Sequence, residues 1–173
     1  PEQFMNSIRA YDAPVIAYSN SKGEMFLLKA IEKYYNEKGM DYTTDDIFVT
    51  NGGSEALIMA IMALCDPDDE IMVFEPFYAN YTTFCKEFGA KINAVPTSVT
   101  DGYHLPSEEE IEKHITAKTK AILLTNPGNP TGVVYTKEEQ DMISRIVRKH
   151  DLALIADEVY REFIYTGSPY ISA

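Results

Sequence analysis

The sequence has little positive charge for its size. Of its 173 residues, 15 are lysine or arginine and 27 are aspartate or glutamate, so the formal net charge is -12. Nucleic acids and anionic membranes are both negatively charged, and this balance argues against either as a partner. The sequence also lacks an apolar run long enough to span a bilayer, and it shows no signal peptide. We therefore predict a cytoplasmic protein with no nucleic-acid or membrane partner.

Cysteine is scarce as well. Cys65 and Cys85 lie in hydrophobic or mixed stretches, and their spacing is not that of metal ligands or of a redox pair. This predicts buried thiols in a reducing compartment and no metal site. Repeats, linkers and low-complexity tracts are absent, and the length suits one domain. Because the sequence begins without an initiator Met and stops without a closing element, we expect both ends to be cut from a longer chain.

What is present is an alternation of strand-like and helix-like segments. One helical pattern is apolar on every face from residue 56 to 64, which predicts a buried helix. Short apolar runs between the helical patterns predict strands at 46–50, 71–75, 91–95, 121–125 and 152–156. Such alternation is typical of an α/β fold, a three-layer α/β/α sheet with mostly parallel strands.

An unusual loop, "NPGNPTG", follows the strand predicted at 121–125. Pro127 and Pro130 can neither continue an α-helix nor donate to the hydrogen-bond ladder of a β-sheet. Each proline also favours an extended conformation at the residue before it, Asn126 or Asn129. The carboxyl ends of the strands form the edge of an α/β sheet where ligands bind. The alternative is a rigid loop that only closes the strand.

A second loop at this edge contains consecutive glycines, Gly52 and Gly53, before the apolar helix. Glycine permits close backbone approach, and a helix amino terminus offers free N–H groups to an anion, most often a phosphate. Tight packing is the alternative explanation. Glu55 is an awkward neighbour for a phosphate unless its carboxylate turns away.

Two further loops carry aromatic and acidic side chains. Among Phe77, Tyr78 and Tyr81, we favour Tyr78 for stacking on a flat ligand, whereas the other two suit a core or a subunit interface. Asp157 is the first polar residue after "LALIA", and a carboxylate there needs a partner, such as a protonated ring nitrogen. A helix cap is the alternative for Asp157. Tyr160 could point into the same space.

Together the loops supply an anion cradle, a stacking ring, an amide donor, a carboxylate and a phenol. Pyridoxal 5'-phosphate combines a phosphate, an aromatic cation and a phenolic oxygen, and fits this set. The motifs "GGSEAL", "NPGNPTG" and "DEVY", in this order, resemble those of the class I/II aminotransferases. These are fold-type I enzymes dependent on pyridoxal phosphate, and the resemblance is strongest to the bacterial aspartate aminotransferase-like branch. It runs over all 173 residues, but corresponds only to part of the large domain of a typical member.

The resemblance implies how the cofactor phosphate and ring faces are held. Gly53, Ser54 and Glu55 would hold the phosphate, mainly through backbone N–H groups and the Ser54 hydroxyl. Tyr78 would stack on one face of the pyridine ring, and Val159 would pack on the other.

The resemblance also implies partners for the polar atoms of the ring. Asn129 and Tyr160 would hydrogen-bond the phenolic oxygen, and Asp157 would pair with the pyridine N–H, which makes Asp157 and Tyr160 the catalytic candidates. Tyr18, in "YSNSKG", fits the tyrosine that reaches the phosphate of the neighbouring subunit, which implies a homodimer.

In the family, the Schiff-base lysine, the arginine that binds the substrate carboxylate and the small domain come after the "DEVY" motif, so we expect them beyond Ala173. Of the lysines present, Lys22 is the best placed, yet its loop should serve the neighbouring subunit. The predicted function is a piece of an aminotransferase that moves an amino group between an amino acid, with aspartate as the first guess, and a 2-oxo acid. The alternatives are a truncated, catalytically incompetent domain that binds pyridoxal phosphate reversibly or only associates, and a lyase or synthase of the same fold.

The family arrangement also makes a prediction about the sheet. There, two later strands lie between the strands that correspond to 46–50 and 152–156. Without them, four strands can pair among themselves, but the strand at 46–50 faces a gap. We expect this strand to find a new partner, or the gap to leave helix 54–64 partly exposed.

Overall fold

The computed structural model describes residues 1–165, 167 and 170–173. The chain forms two compact units, Pro1–Thr50 and Asn51–Ala173. The first unit contains helix α1 (Glu2–Arg9), helix α2 (Met25–Asn36) and a short 3₁₀ helix at Thr44–Asp46. Leu28, on α2, is its buried apolar residue among those described.

The strand predicted at 46–50 is wrong, because the residues after Asp46 are irregular. The side chain of Asp46 accepts hydrogen bonds from the backbone N–H and the hydroxyl of Thr43, at 2.9 and 2.7 Å, which turns the chain into the 3₁₀ helix. The N–H of Val49 donates to the carbonyl of Lys22 at 2.8 Å. An apolar run becomes a strand only where a neighbour completes the ladder, and the described residues of this unit supply none.

The second unit contains a four-stranded parallel sheet with the order β2-β1-β3-β4. Its elements are α3 (Gly53–Leu64), β1 (Glu70–Glu75), α4 (Asn80–Glu87), β2 (Lys91–Pro96), α5 (Glu108–Lys113), β3 (Thr119–Thr125), α6 (Lys137–His150) and β4 (Ala153–Asp157). The four other predicted strands are confirmed, with each end within two residues of the expected position.

Helices cover both faces of this sheet, which confirms the three-layer prediction. Successive residues of a strand point to opposite faces. Met72 of β1 therefore belongs to a buried cluster with Ile146 of α6. Its neighbour Val73 belongs to the other cluster, with Ile61 of α3 and Tyr81 of α4.

Helix α3 is less buried than its composition predicts. Ile61 is its one fully covered residue, whereas Met59, Met62 and Leu64 are 38%, 55% and 37% exposed. Composition sets which residues prefer burial, but a helix is covered only where another element lies against it. The partial exposure of the helix was one predicted outcome, but the strand at 46–50 that would border the predicted gap is not formed.

The expectation for the cysteines is confirmed for one of them. Cys85 is buried in the sheet–helix core and Cys65 is half-buried, and both thiols are free. Burial raises the pKa of the Cys85 thiol to about 11, which suits a packed, unreactive side chain. Among the described residues, no helix has the length and apolar character needed to cross a membrane.

Candidate active site

The strand order reverses at one point of the sheet, between β1 and β3. From β1 the chain moves outward to β2 and then returns to the other side of β1 as β3. In open α/β sheets, ligands bind at the carboxyl ends of the strands where the order reverses in this way. A cavity of about 20 Å³, room for one water molecule, lies here and is lined by residues that include Pro76 and Phe77 after β1 and Gly128 and Asn129 after β3.

The amino end of α3 faces the same edge of the sheet. The helix ends at Leu64, shortly before β1 starts at Glu70, so its amino end points towards the carboxyl ends of the strands. The N-cap residue is Gly52, which has no side chain to accept from the first N–H groups of the helix. A Cβ added at Gly52 or Gly53 would meet no atom within 4 Å, so the space in front of the helix is open.

The Glu55 carboxylate does not compete for this space through the helix N–H groups. Its Oε2 accepts a hydrogen bond from the backbone N–H of Asn51 at 2.5 Å, so it folds back onto the preceding turn. Ser54 is exposed beside it. The carboxylate of Glu55 is thus engaged by Asn51, and the phosphate role of Gly53, Ser54 and Glu55 stays a prediction.

Asp157 is the last residue of β4, and its half-buried carboxylate is held by hydrogen bonds. Oδ2 accepts a hydrogen bond from the hydroxyl of Tyr81 at 2.5 Å. That hydroxyl also lies 2.7 Å from Oγ1 of Thr125, the last residue of β3. Oδ1 accepts a longer hydrogen bond, 3.4 Å, from the N–H of Val159. The residues that follow form a turn, not a helix, so the helix-cap alternative is wrong.

The two Asn-Pro corners have different environments. Asn126 is 2% exposed, accepts from the N–H of Tyr135 at 3.1 Å, and donates its own N–H to the carbonyl of Asp157 at 3.0 Å. Asn129 is half-buried, and its Nδ2 lies 3.4 Å from the hydroxyl of Tyr160. Asn126 therefore ties the loop to β4, whereas the amide of Asn129 lies beside the phenol of Tyr160. The roles of Asn129 and Tyr160 toward a cofactor stay predictions.

The glycine between these corners is required by packing. A Cβ at Gly128 would lie 2.6 Å from Oγ1 of Thr131 and 2.9 Å from a methyl group of Val133. Both distances are shorter than side chains tolerate, so the loop can close this tightly only with glycine at this position.

The aromatic residues after β1 form one cluster. The rings of Phe77 and Tyr81 are stacked, 6.4 Å apart at 7°, and Tyr78 meets Tyr81 edge-on at 5.4 Å. Tyr81 is fully buried, as a core residue should be, whereas Tyr78 is half-buried and its hydroxyl accepts from Nδ2 of Asn80 at 2.7 Å. The stacking role of Tyr78 stays a prediction.

The remaining predicted site residues lie at the surface. Val159 is 65% exposed and Tyr160 is 38% exposed, on the turn after β4. Tyr18 lies in the first unit, in an irregular segment, with a fully exposed side chain. These residues are accessible to a ligand or a partner, and their roles stay predictions.

Several lysines of this chain lie away from the candidate site or are held by acidic or carbonyl groups. Lys118 and Lys120 lie at the amino end of β3, at the opposite edge of the sheet from Asp157, and Lys22 donates to the carbonyl of Asp45 at 2.9 Å. Hydrogen bonds to acidic side chains raise the pKa of three others, Lys91, Lys113 and Lys149. A nucleophilic lysine needs a lowered pKa.

Two residues of the site were missed by the sequence analysis. Tyr81 was assigned to a core or an interface, and Thr125 only marked the end of a strand, yet both belong to the Asp157 hydrogen-bond network. A polar residue at the carboxyl end of a buried strand was the available signal for Thr125. Tyr81 gave no comparable signal, because its contact with Asp157 spans 76 residues.

Comparison with known proteins agrees with this fold. The family model for "Aminotransferase class I and II" matches residues 9–173. The chain therefore belongs to the class I and II aminotransferase family.

The chain is similar to aminotransferases of Thermotoga maritima and Thermus thermophilus. Aspartate aminotransferase of Thermotoga maritima is 37% identical over 161 residues, which is 92% of this chain and 42% of that protein. The aspartate/prephenate aminotransferase of Thermus thermophilus is 34% identical over 139 residues, 80% of this chain and 36% of that protein. The crystal structure of the Thermotoga maritima enzyme superimposes with a TM-score of 0.92 at 36% identity, covering 99% of this chain and 46% of that chain. The chain thus spans under half the length of these relatives.

Proposed function

We propose that residues 1–173 are part of the large, cofactor-binding domain of an aminotransferase that uses pyridoxal phosphate. The longer protein would move an amino group between an amino acid, with aspartate as the first candidate, and a 2-oxo acid. The observation that carries this proposal is the Asp157 carboxylate, which is held at the sheet edge by a buried phenol. The names of the relatives support the reaction class and the choice of aspartate.

The residues at this edge fit the chemical groups of pyridoxal phosphate. When bound, this cofactor supplies a cationic pyridine ring that stabilises negative charge on the substrate carbon next to the amino group. Asp157 would keep the proton on the ring nitrogen, because a nearby anion favours the cationic form. The uncapped first turn of α3, with Gly53, Ser54 and Glu55, would hold the phosphate through N–H groups and the Ser54 hydroxyl.

Other residues would orient the ring. The adjacent side chains of Asn129 and Tyr160 would donate to the phenolic oxygen, which stabilises its negative charge. Tyr78 would stack on one face of the ring and Val159 would cover the other, which excludes water from both faces. Tyr18 would contact the phosphate of a neighbouring subunit, so the longer protein would act as a homodimer in the cytoplasm.

The test uses the full-length protein that contains this chain. In Asp157→Asn the side chain keeps its size and still accepts from Tyr81, but it loses its charge. We expect turnover in a coupled transamination assay to fall at least about a hundredfold. Asp151→Asn is the matched control, because Asp151 ends α6 in a left-handed conformation that asparagine also adopts. Unchanged turnover in Asp157→Asn would contradict the proposal.

Two further measurements separate the alternatives. A lyase or synthase would consume the amino acid without forming the product amino acid from the added 2-oxo acid. The isolated chain, incubated with pyridoxal phosphate and borohydride, is expected to show no adduct concentrated on a single lysine, because we assign the Schiff-base lysine to a later segment of the longer protein. An adduct on a single lysine would contradict the assignment of the Schiff-base lysine to a later segment.

A further inference from the structure

The Asp157 carboxylate is held by a residue from a distant part of the chain. Tyr81 lies on α4, is fully buried, and is fixed between the rings of Phe77 and Tyr78. A buried ring with two aromatic neighbours has little freedom, so the position of its hydroxyl is determined by the core. That hydroxyl reaches Oδ2 of Asp157 at 2.5 Å and Oγ1 of Thr125 at 2.7 Å.

The chemistry of the three groups gives the hydrogen bonds a direction. An ionised carboxylate only accepts, so the single proton of Tyr81 is donated to Asp157. The hydroxyl proton of Thr125 must then be donated to the oxygen of Tyr81. Burial raises the pKa of the Tyr81 phenol, and the hydrogen bond to Asp157 raises it further, so Tyr81 stays a donor at neutral pH.

The two oxygens of Asp157 are thereby made unequal. Oδ2 is occupied by a short, charge-assisted hydrogen bond. Oδ1 has only the 3.4 Å contact with the N–H of Val159, and each carboxylate oxygen can accept two hydrogen bonds. Oδ1, whose one hydrogen bond is the longer and weaker, is therefore the less committed oxygen and the one we assign to a further cationic N–H.

We propose that Tyr81 is a positioning residue that, supported by Thr125, fixes Oδ2 of Asp157 so that Oδ1 pairs with the ring N–H of the cofactor. This inference rests on the proposed function. Without the phenol, Oδ2 loses its fixed donor, and the carboxylate can turn away from the orientation in which Oδ1 meets the ring N–H. The ring nitrogen would then lose the anion that favours its protonated form. A residue that only fills the core would have no such effect.

The experiment uses the full-length protein reconstituted with pyridoxal phosphate labelled with ¹⁵N at the ring. In Tyr81→Phe, we expect the ring-nitrogen resonance to move towards that of the unprotonated ring, and turnover to fall about tenfold to a hundredfold. The dissociation constant for pyridoxal phosphate should change less than turnover does, since the phosphate contacts remain. Thr125→Val should shift the resonance in the same direction by a smaller amount, because the Tyr81 hydroxyl can still donate its proton to Asp157.

Tyr135→Phe is the matched control, since Tyr135 is also a buried tyrosine but has no contact with Asp157 among the described residues. It should leave the nitrogen resonance at the wild-type position. A wild-type resonance in Tyr81→Phe, or an equal shift in Tyr135→Phe, would overturn the inference and leave the proposed function standing. A wild-type protein that binds no pyridoxal phosphate, or binds it with an unprotonated ring, would overturn both.

Discussion

Glu139 is expected to stabilise the fold far more than the glutamate beside it. Its side chain is 13% exposed and accepts hydrogen bonds at 2.7 Å from the backbone N–H groups of Leu105 and Thr136. His104 Nδ1 adds a third contact at 3.0 Å. Glu139 thus forms a capping box with Thr136 in the first turn of α6, and it also connects the segment before α5 to this helix. Glu138 precedes it in the same helical turn and is exposed.

The substitution Glu139→Gln replaces one acceptor oxygen with an NH₂ donor. One of the two backbone N–H groups then loses its partner, which costs about 1–3 kcal/mol when the donor is shielded from water. Glu138→Gln removes the same charge from the same helix terminus and costs only about 0.3–1 kcal/mol. For a chain of this size, each kcal/mol lowers Tm by about 2–4 °C.

The two variants should therefore differ in Tm by several degrees when unfolding is followed by far-UV circular dichroism. Urea titrations should show a lower midpoint for Glu139→Gln with an unchanged slope, since the surface exposed on unfolding stays the same. Equal Tm values for the two variants would refute the reasoning, because both variants lose one charge and differ in the hydrogen bonds that the side chain accepts from backbone N–H groups.

Two other predictions concern stability. Gly128→Ala should destabilise the protein by about 1–3 kcal/mol in urea unfolding, because its Cβ would overlap Thr131, whereas Gly53→Ala, with open space around it, should be neutral or slightly stabilising. A neutral Gly128→Ala would show that the loop relaxes freely. Asp69 is buried, and the hydrogen bond from the N–H of Asp66 lowers the pKa of its carboxyl group. A carboxyl group with a lowered pKa stabilises the folded state at pH values above its unfolded-state pKa of about 4. This stabilisation is lost as the pH falls through the folded-state pKa. Asp69→Asn should therefore show a shallower fall of Tm below about pH 4 than the wild type, and parallel curves would contradict this role.

The sequence alone was sufficient for the layered sheet. Four strands and the helices between them follow from local apolar runs and turn residues, and the confirmed strand ends lie within two residues of the predicted ones. The loops at the carboxyl edge, with Asn129, Asp157 and Tyr160, were also predictable, because in a parallel sheet every loop that follows a strand lies at the same edge. These inferences depend on local chemistry and on one rule of topology.

The failures have a common physical cause. The run at 46–50 has the composition of a strand, but it lacks a neighbour to complete a ladder, and α3 has the composition of a buried helix without a covering element on every side. Pairing and coverage are properties of the assembled elements, which local composition does not contain.

The tertiary structure also decided which polar residues act together. Asn126 and Asn129 precede prolines in the same short loop, yet one is buried against β4 and the other faces Tyr160. In the sequence, nothing distinguishes Tyr81 from any other core tyrosine. In the structure, the packing of α4 on the sheet places the Tyr81 hydroxyl within hydrogen-bond distance of Asp157. The sequence determined which residues prefer burial, but a hydrogen bond between residues 76 positions apart exists only once the sheet and its helices are assembled.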